Sequence, residues 1–209
     1  MSTFVFSQDK YEFDYLLTYK SIFEDSTKTT TKQFLTNSKD NAYFAMISDK
    51  SKSESKLHFT DHRGLHVNVF FDKTELAHAE QINIICDFVL KFNRGAQNKT
   101  KHYQYINYGD QKIELTKFDY TLTSINPRRA KRKKLGTYGY ILNDSIKFHL
   151  PLLITHLEYE EFLTESNIPN GIFKDRSFTN YQGQVEHTYQ LIKVERVTKV
   201  IIIPSNCKL

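Results

Sequence analysis

Apolar and polar residues alternate on both sides of Gly64, and this alternation constrains the fold more than any other feature of the sequence. The two alternating stretches are 57–59 and 65–71. A period of two is typical of strands with one buried face. A three-residue loop at 62–64 brings all the apolar residues onto one face, whereas a two-residue loop mixes the faces. The sequence therefore predicts a β-hairpin with Gly64 in a left-handed conformation at its turn.

Patterns typical of helices lie on either side of this hairpin. In the stretch 10–23 the apolar residues recur at helical spacing: Phe13, Leu16, Leu17 and Phe23. Asp72-Lys-Thr-Glu75 has the form of a capping box, and we expect the helix that it opens to run from Thr74 to about Asn93. Thr155-His-Leu-Glu158 is a second capping box before a short helix. Apart from this short helix, the residue pattern from His102 onward is typical of strands. The expected fold class is α+β, with a helical N-terminal half that contains a hairpin-helix unit and a mostly antiparallel sheet in the C-terminal half.

The length of 209 residues is sufficient for one substantial core. We expect a single domain over 1–209, and a division into lobes at 1–97 and 98–209 is the alternative. Cys86 lies in an apolar run and is interpreted as a core residue, since two cysteines are too few for a disulfide framework. The sequence has no signal-peptide pattern and no apolar run near the roughly 20 residues of a membrane helix. We therefore expect a cytoplasmic protein, or a nuclear one in a eukaryotic or viral source, with no membrane contact.

Three histidines occur at four-residue spacing within the predicted hairpin. Its register places His58 and His66 on the face away from the core, as diagonal neighbours. His62 lies at the turn, beside Asp61. A zinc ion could bridge the two strand histidines only if a third ligand came from another part of the chain.

The order of hairpin, Asp-His at the end of the first strand and following helix resembles the ββα-metal nucleases. The resemblance is confined to this hairpin and helix. It implies that His62 is a general base that activates water, and that Asp61 with either His78 or Asn83 binds a divalent metal such as Mg²⁺, Mn²⁺ or Zn²⁺. In the simpler interpretation, Asp-His-Arg-Gly is a polar turn and the strand histidines are solvated. The sequence therefore leaves open whether the protein is an enzyme.

Six of the seven residues from Arg128 to Lys134 are cationic. The positive charge of this run exceeds the net charge of +5 of the whole chain, so the other residues together are close to neutral. Mutual repulsion favours an exposed loop, where the cations could neutralise phosphates while tyrosines on the flanking strands stack on bases. The candidate nucleic-acid-binding residues are Arg128, Arg129, Lys131, Arg132, Lys133, Lys134, Tyr138 and Tyr140.

These features support two functional hypotheses. The first is a nucleic-acid-interacting protein, with DNA or RNA as its partner, which would be a metal-dependent phosphodiesterase or nuclease if the His62 site forms. The alternative is a non-enzymatic interaction or assembly protein, such as a phage, viral or host-directed factor, that docks on an acidic protein surface. The sequence contains no Walker loop and no Gly-x-Gly-x-x-Gly, Gly-x-Ser-x-Gly or Cys-x-x-Cys motif. Common nucleotide, hydrolase and zinc-ribbon chemistry therefore finds no support. The oligomeric state is not specified by the sequence.

Overall fold

The computed structural model describes residues 8–23, 29–91, 103–108, 117–123, 134–164, 169–180 and 182–208. These segments form one sheet of twelve strands, paired antiparallel except at one short strand, together with two short α-helices. The predicted α+β class is wrong, because the N-terminal half is built from strands rather than helices. Neither helix in the described segments is long and apolar enough to span a membrane.

The sheet has its two longest strands at its centre. In chain order, the strands and α-helices are β1 (Gln8–Phe23), β2 (Thr29–Thr36), β3 (Tyr43–Asp49), β4 (Glu54–Asp61), β5 (Leu65–Asp72), α1 (Lys73–His78), β6 (Gln81–Asn83), β7 (Val89–Lys91), β8 (Tyr103–Tyr108), β9 (Lys117–Thr123), β10 (Lys134–Asn143), α2 (His156–Thr164), β11 (Ile172–Asn180) and β12 (Val185–Pro204). The strand order is β7-β5-β4-β3-β2-β1-β12-β11-β10-β9-β8, and β6 pairs in parallel with the end of β12. The neighbouring strands β1 and β12 thus join the two halves of the sheet.

β1 is a strand where the sequence predicted a helix. Its buried residues alternate along the chain: Tyr11, Phe13, Tyr15, Leu17 and Tyr19. The helical pattern included Phe13 and Leu17 but none of the tyrosines, whose buried rings establish the period of two. Pairing with β2 on one side and β12 on the other satisfies the backbone of this strand.

β1 also changes the face that it buries. Phe13 belongs to a first apolar core and Tyr15 to a second. The register with β12 shifts between these two residues, as expected where an additional residue in one strand redirects the side chains that follow. The first core lies among β3, β4, β5 and the end of β12, and the second lies among β1, β10, β11 and the segment before α2.

The predicted hairpin and its register are confirmed. Leu57 pairs with Val69 and Phe59 with Val67, and all four side chains are buried. Gly64 has a φ of 124°, a left-handed conformation that residues with a Cβ rarely adopt. The turn therefore has the residue type that its backbone requires.

The long helix predicted after this hairpin is wrong. Asp72 caps α1 as expected, since its carboxylate accepts the N–H groups of Thr74 and Glu75 at 2.8 and 3.2 Å. However, α1 ends at His78, and the following residues are extended. Ile82 is buried in β6, where the chain pairs with β12 instead of continuing as a helix.

Cys86 and Cys207 form a disulfide across a sequence separation of 121 residues. Cys86 lies in an exposed 3₁₀ turn before β7, and Cys207 lies in a second turn after β12. The interpretation of Cys86 as a core residue is therefore wrong. The disulfide links the edge of the sheet at β7 to the end of its central strand.

Candidate functional site

His62 is packed inside the protein, with 1% of its surface exposed. Its Nε2 lies 2.9 Å from the carbonyl oxygen of Leu153, and its ring stacks on Tyr159 with the ring centroids 4.9 Å apart. Its backbone N–H donates to the carbonyl of Ala42 at 2.8 Å. The side chain thus connects the β4–β5 hairpin to the segment before α2. This placement does not favour a role as general base, because a base must reach the proton that it removes.

Burial lowers the pKa of His62 from its ordinary 6.5 to about 4. The hydrogen bond to Leu153 opposes this shift, the nearby His156 adds to it, and Glu158 and Asp61 oppose it more weakly. The imidazole is therefore neutral at pH 7. With Nε2 donating to Leu153, Nδ1 carries no proton, and no described residue forms a hydrogen bond with it.

Asp61, which the ββα-metal resemblance predicts to bind a metal, is engaged by other groups of the protein. Asp61 is 5% exposed and accepts hydrogen bonds from the Tyr11 hydroxyl at 3.1 Å and from the backbone N–H and Nε of Arg63 at 2.9 and 2.8 Å. His78 is exposed in α1, and Asn83 lies in strand β6 rather than on a helix. Across the described ranges, no three His, Cys, Asp or Glu side chains are placed to hold a metal ion. The divalent metal that the ββα-metal resemblance implies stays a prediction.

His58 and His66 lie side by side on the polar face of the hairpin, as its register predicted. Their ring centroids are 5.5 Å apart, and the rings are nearly parallel. The Nδ1 of His58 is 2.8 Å from the Asn68 side-chain oxygen, and the Nδ1 of His66 is 3.2 Å from the Thr60 hydroxyl. Burial lowers the pKa of His66, and the proximity of His58 and of His156 lowers it further.

A buried ion pair holds α2 against the sheet. Glu158 and Arg176 are 3% and 4% exposed, and their side chains are joined by an Nη2–Oε1 contact of 2.7 Å. Glu158 also accepts the hydroxyl of Tyr140 and, through Oε2, the backbone N–H groups of Ile154 and Thr155 at 2.7 and 2.8 Å. Burial opposes the charge of Arg176, but Glu158 raises its pKa, so the guanidinium stays charged. One carboxylate therefore connects α2, β10 and β11.

The predicted nucleic-acid-binding residues are only partly within the described segments. Tyr140 is 5% exposed, and its hydroxyl is bound to Glu158. Tyr138 packs on Phe178, with ring centroids 4.8 Å apart, and the Arg176 guanidinium lies 4.4 Å from its ring centre. These tyrosines pack in or beside the second core, a placement that does not favour base stacking. Lys134 is the first residue of β10, while the remaining cations lie outside the described residues: Arg128, Arg129, Lys131, Arg132 and Lys133.

Residues 191–199 of β12 have a strand neighbour on one side only among the described segments. The unpaired side of this stretch is called here the open edge, and the sequence did not predict it. β1 pairs along one side of the stretch. On the other side, β11 pairs with β12 only as far as Gln190, and β6 pairs only from Val200 onward. Between these points, no strand among the described segments bonds to the backbone of β12. An alternating sequence predicts a strand but does not indicate how many neighbours that strand has, so no sequence signal identified this edge.

The open edge carries more positive than negative charge. Lys193 and Glu195 form an exposed ion pair at 2.8 Å. The Arg196 guanidinium lies 4.2 Å from the ring centre of Tyr15 and 5.3 Å from that of Phe148, which is 58% exposed. The ammonium of Lys199 donates to backbone carbonyls at the end of α1. The edge is thus cationic, with an arginine supported by aromatic rings.

No protein-family model and no curated protein matches this chain. Among solved structures, it is similar to MucB in the MucA/MucB complex of Pseudomonas aeruginosa, with 9% identity over 88% of this chain and 51% of that one and a TM-score of 0.42. It is also similar to MucB in complex with MucA(peri), with 7% identity over 88% and 50% of the two chains and a TM-score of 0.41. The chain spans about half the length of these MucB chains. At this level of similarity, function is argued from the chain's own residues.

Proposed function

We propose that this protein is a non-enzymatic binding protein that takes up an extended, acidic segment of a partner polypeptide along the open edge of β12. The observation that carries the proposal is the stretch 191–199, where a central strand of the sheet has a strand neighbour on one side only among the described residues. An extended peptide added to such an edge gains main-chain hydrogen bonds as an additional strand.

The geometry of the gap suits an added strand. At about 3.3 Å per residue, the open edge is roughly 30 Å long. In an antiparallel pair, every second residue of a strand directs its N–H and C=O away from its partner, so the side of 191–199 away from β1 presents both donors and acceptors. Because β11 and β6 close the gap at Gln190 and Val200, they limit the length of the segment that can pair.

The charges indicate which partner this edge would select. Lys193 and Arg196 would lie beside the same cations if a second copy of this chain paired there, and like charges on adjacent strands destabilise pairing. Carboxylates on the added strand would instead be attracted to them. Two such pairs, each contributing about 0.2–1 kcal/mol, favour an acidic peptide over a neutral one by about tenfold in affinity.

The disulfide suggests where this binding takes place. Disulfides persist in oxidising compartments and are rare in the reducing cytosol. The Cys86–Cys207 bond therefore favours an oxidising compartment over the cytoplasmic location that the sequence predicted.

We expect a nine-residue peptide in which pairs of Thr and pairs of Glu alternate, so that carboxylates lie on both faces of the added strand, to bind at least about tenfold more tightly than its Thr/Lys counterpart, with an affinity that falls as salt is raised. Fluorescence anisotropy measures both affinities. The charge-reversed variant Lys193→Glu/Arg196→Glu should lose about tenfold or more in affinity for the acidic peptide, because both attractive cations become repulsive.

The variant Lys50→Glu/Lys52→Glu is the matched control, because it changes the net charge equally at an exposed loop before β4. Its affinity for the acidic peptide should stay within about twofold of the wild type, since exposed charges beyond about 10 Å are screened. Equal losses in the two variants would show attraction by net charge alone. Equal binding of the Thr/Glu and Thr/Lys peptides would contradict the proposed selectivity.

A second candidate function is nucleic-acid binding, and the run of cations from Arg128 to Lys134 favours it. If the run binds duplex DNA, the logarithm of affinity should fall against the logarithm of salt concentration with a slope of up to about −5, since each neutralised phosphate releases counterions. Replacing the six cations with glutamine should then abolish binding in a mobility-shift assay. Binding that survives this replacement would remove nucleic acid as the partner of the run.

A further inference from the structure

The segment that leads into and includes α2, residues 151–164, contacts His62 of the β4–β5 hairpin. Leu152 and Leu153 are 5% and 4% exposed, and the carbonyl of Leu153 accepts the 2.9 Å hydrogen bond from His62. Tyr159 of α2 stacks on the same imidazole, and the His156 ring lies 5.9 Å from it. The ring of Phe44 in β3 also lies near the imidazole of His62, with the ring centroids 5.8 Å apart. We infer that the segment 151–164 is an acid-sensitive lid, held over the second core by neutral His62 together with the Glu158–Arg176 pair, and loosened when that imidazole takes up a proton.

The added proton would go to a position that cannot accommodate its charge. In the closed lid, Nε2 already donates to Leu153, so the proton binds Nδ1, which is buried and has no hydrogen-bond acceptor among the described residues. A buried cation without a partner is strongly disfavoured. When the lid opens, both nitrogens reach water and the charge is solvated. Protonation therefore favours the open lid.

The charged and titratable groups around His62 do not cancel this effect. His156 in α2 adds repulsion when it is protonated. Glu158 in α2 is engaged with Arg176, while Asp61 at the end of β4 is engaged with Arg63. The two carboxylates favour the protonated imidazole, but burial has the larger influence and holds the pKa of His62 near 4.

The size of the effect follows from the two pKa values. In the open lid the imidazole has its ordinary pKa of about 6.5, so between pH 6.5 and 4 the open state binds more protons than the closed one. The equilibrium constant for opening should therefore increase by about 30-fold between pH 8 and pH 5. Above about pH 7.5 this constant should not depend on pH.

Hydrogen exchange measured by mass spectrometry at pH 8 and pH 5, corrected for the intrinsic exchange rate, tests this inference. For amides in 153–164, we expect the equilibrium constant for opening to be about 30-fold larger at pH 5 than at pH 8. In His62→Gln, which retains a side-chain donor for Leu153 but does not titrate, the increase should be below about threefold. His78→Gln, which removes an exposed histidine from α1, should behave as the wild type.

Two results would overturn the inference. The first is equal protection of 153–164 at both pH values in the wild type. The second is the same increase in His62→Gln as in the wild type, because the proton would then act elsewhere. Amides in the centre of β1 serve as the internal reference, and an equal increase there would indicate global unfolding rather than a lid.

Discussion

Replacing both Cys86 and Cys207 with alanine is expected to lower the free energy of unfolding by about 4–5 kcal/mol. The disulfide closes a loop with a sequence separation of 121 residues, and the entropy that such a loop removes from the unfolded chain corresponds to about 5 kcal/mol. For a chain of this size, the melting temperature should fall by about 10–20 °C. Urea unfolding followed by circular dichroism measures the change.

A reductant provides the control for this prediction. It should destabilise the wild type to the level of the double variant and leave the double variant unchanged. If the double variant and the wild type differ by less than about 1 kcal/mol under oxidising conditions, the disulfide does not stabilise the fold as loop closure predicts.

The second large effect is expected at the buried ion pair. Glu158→Gln should cost about 3–5 kcal/mol in unfolding free energy, because it leaves the Arg176 guanidinium buried and charged without its carboxylate. The variant also weakens the bonds to the backbone before α2, which rest on the same side chain. Denaturant unfolding of the variant and the wild type at pH 7 measures this difference.

The double variant Glu158→Met/Arg176→Met distinguishes charge burial from loss of packing. It replaces both charged groups by apolar side chains of similar volume, so no buried charge remains. We expect it to be more stable than Glu158→Gln alone, although it removes more polar contacts. A double variant that is less stable than Glu158→Gln would show that the hydrogen bonds, rather than the unpaired charge, dominate the cost.

The parts of the structure that sequence analysis predicted correctly are local. The β4–β5 hairpin depends on alternation over a few residues and on Gly64 at the turn, and both are visible in the sequence. The Asp72 cap of α1 and the Thr155–Glu158 box before α2 are likewise set by residues within one helical turn. In each case the interacting groups are close in sequence, so the local residue pattern is sufficient to predict the structure.

The errors arose where distant segments determine the structure. The stretch after His78 has helical periodicity, but its pairing with β12, more than a hundred residues later, makes it extended. His62 appeared to be a polar turn residue because Leu153, which buries it, lies 91 residues further along the chain. The open edge depends on which of the described strands pair with β12, and no local pattern contains that information. Sequence reasoning therefore found the correct hairpin but missed the contact between His62 and the segment before α2.

Hydrogen exchange of the β12 amides, with and without the acidic Thr/Glu peptide, tests the proposed function most directly. Added-strand pairing predicts that the peptide protects amides within 191–199, at about every second residue, while the Thr/Lys peptide does not. The outer strands of the sheet should keep their exchange rates. Peptide binding that leaves the amides of 191–199 unchanged, or that protects a different edge of the sheet, would contradict the proposal.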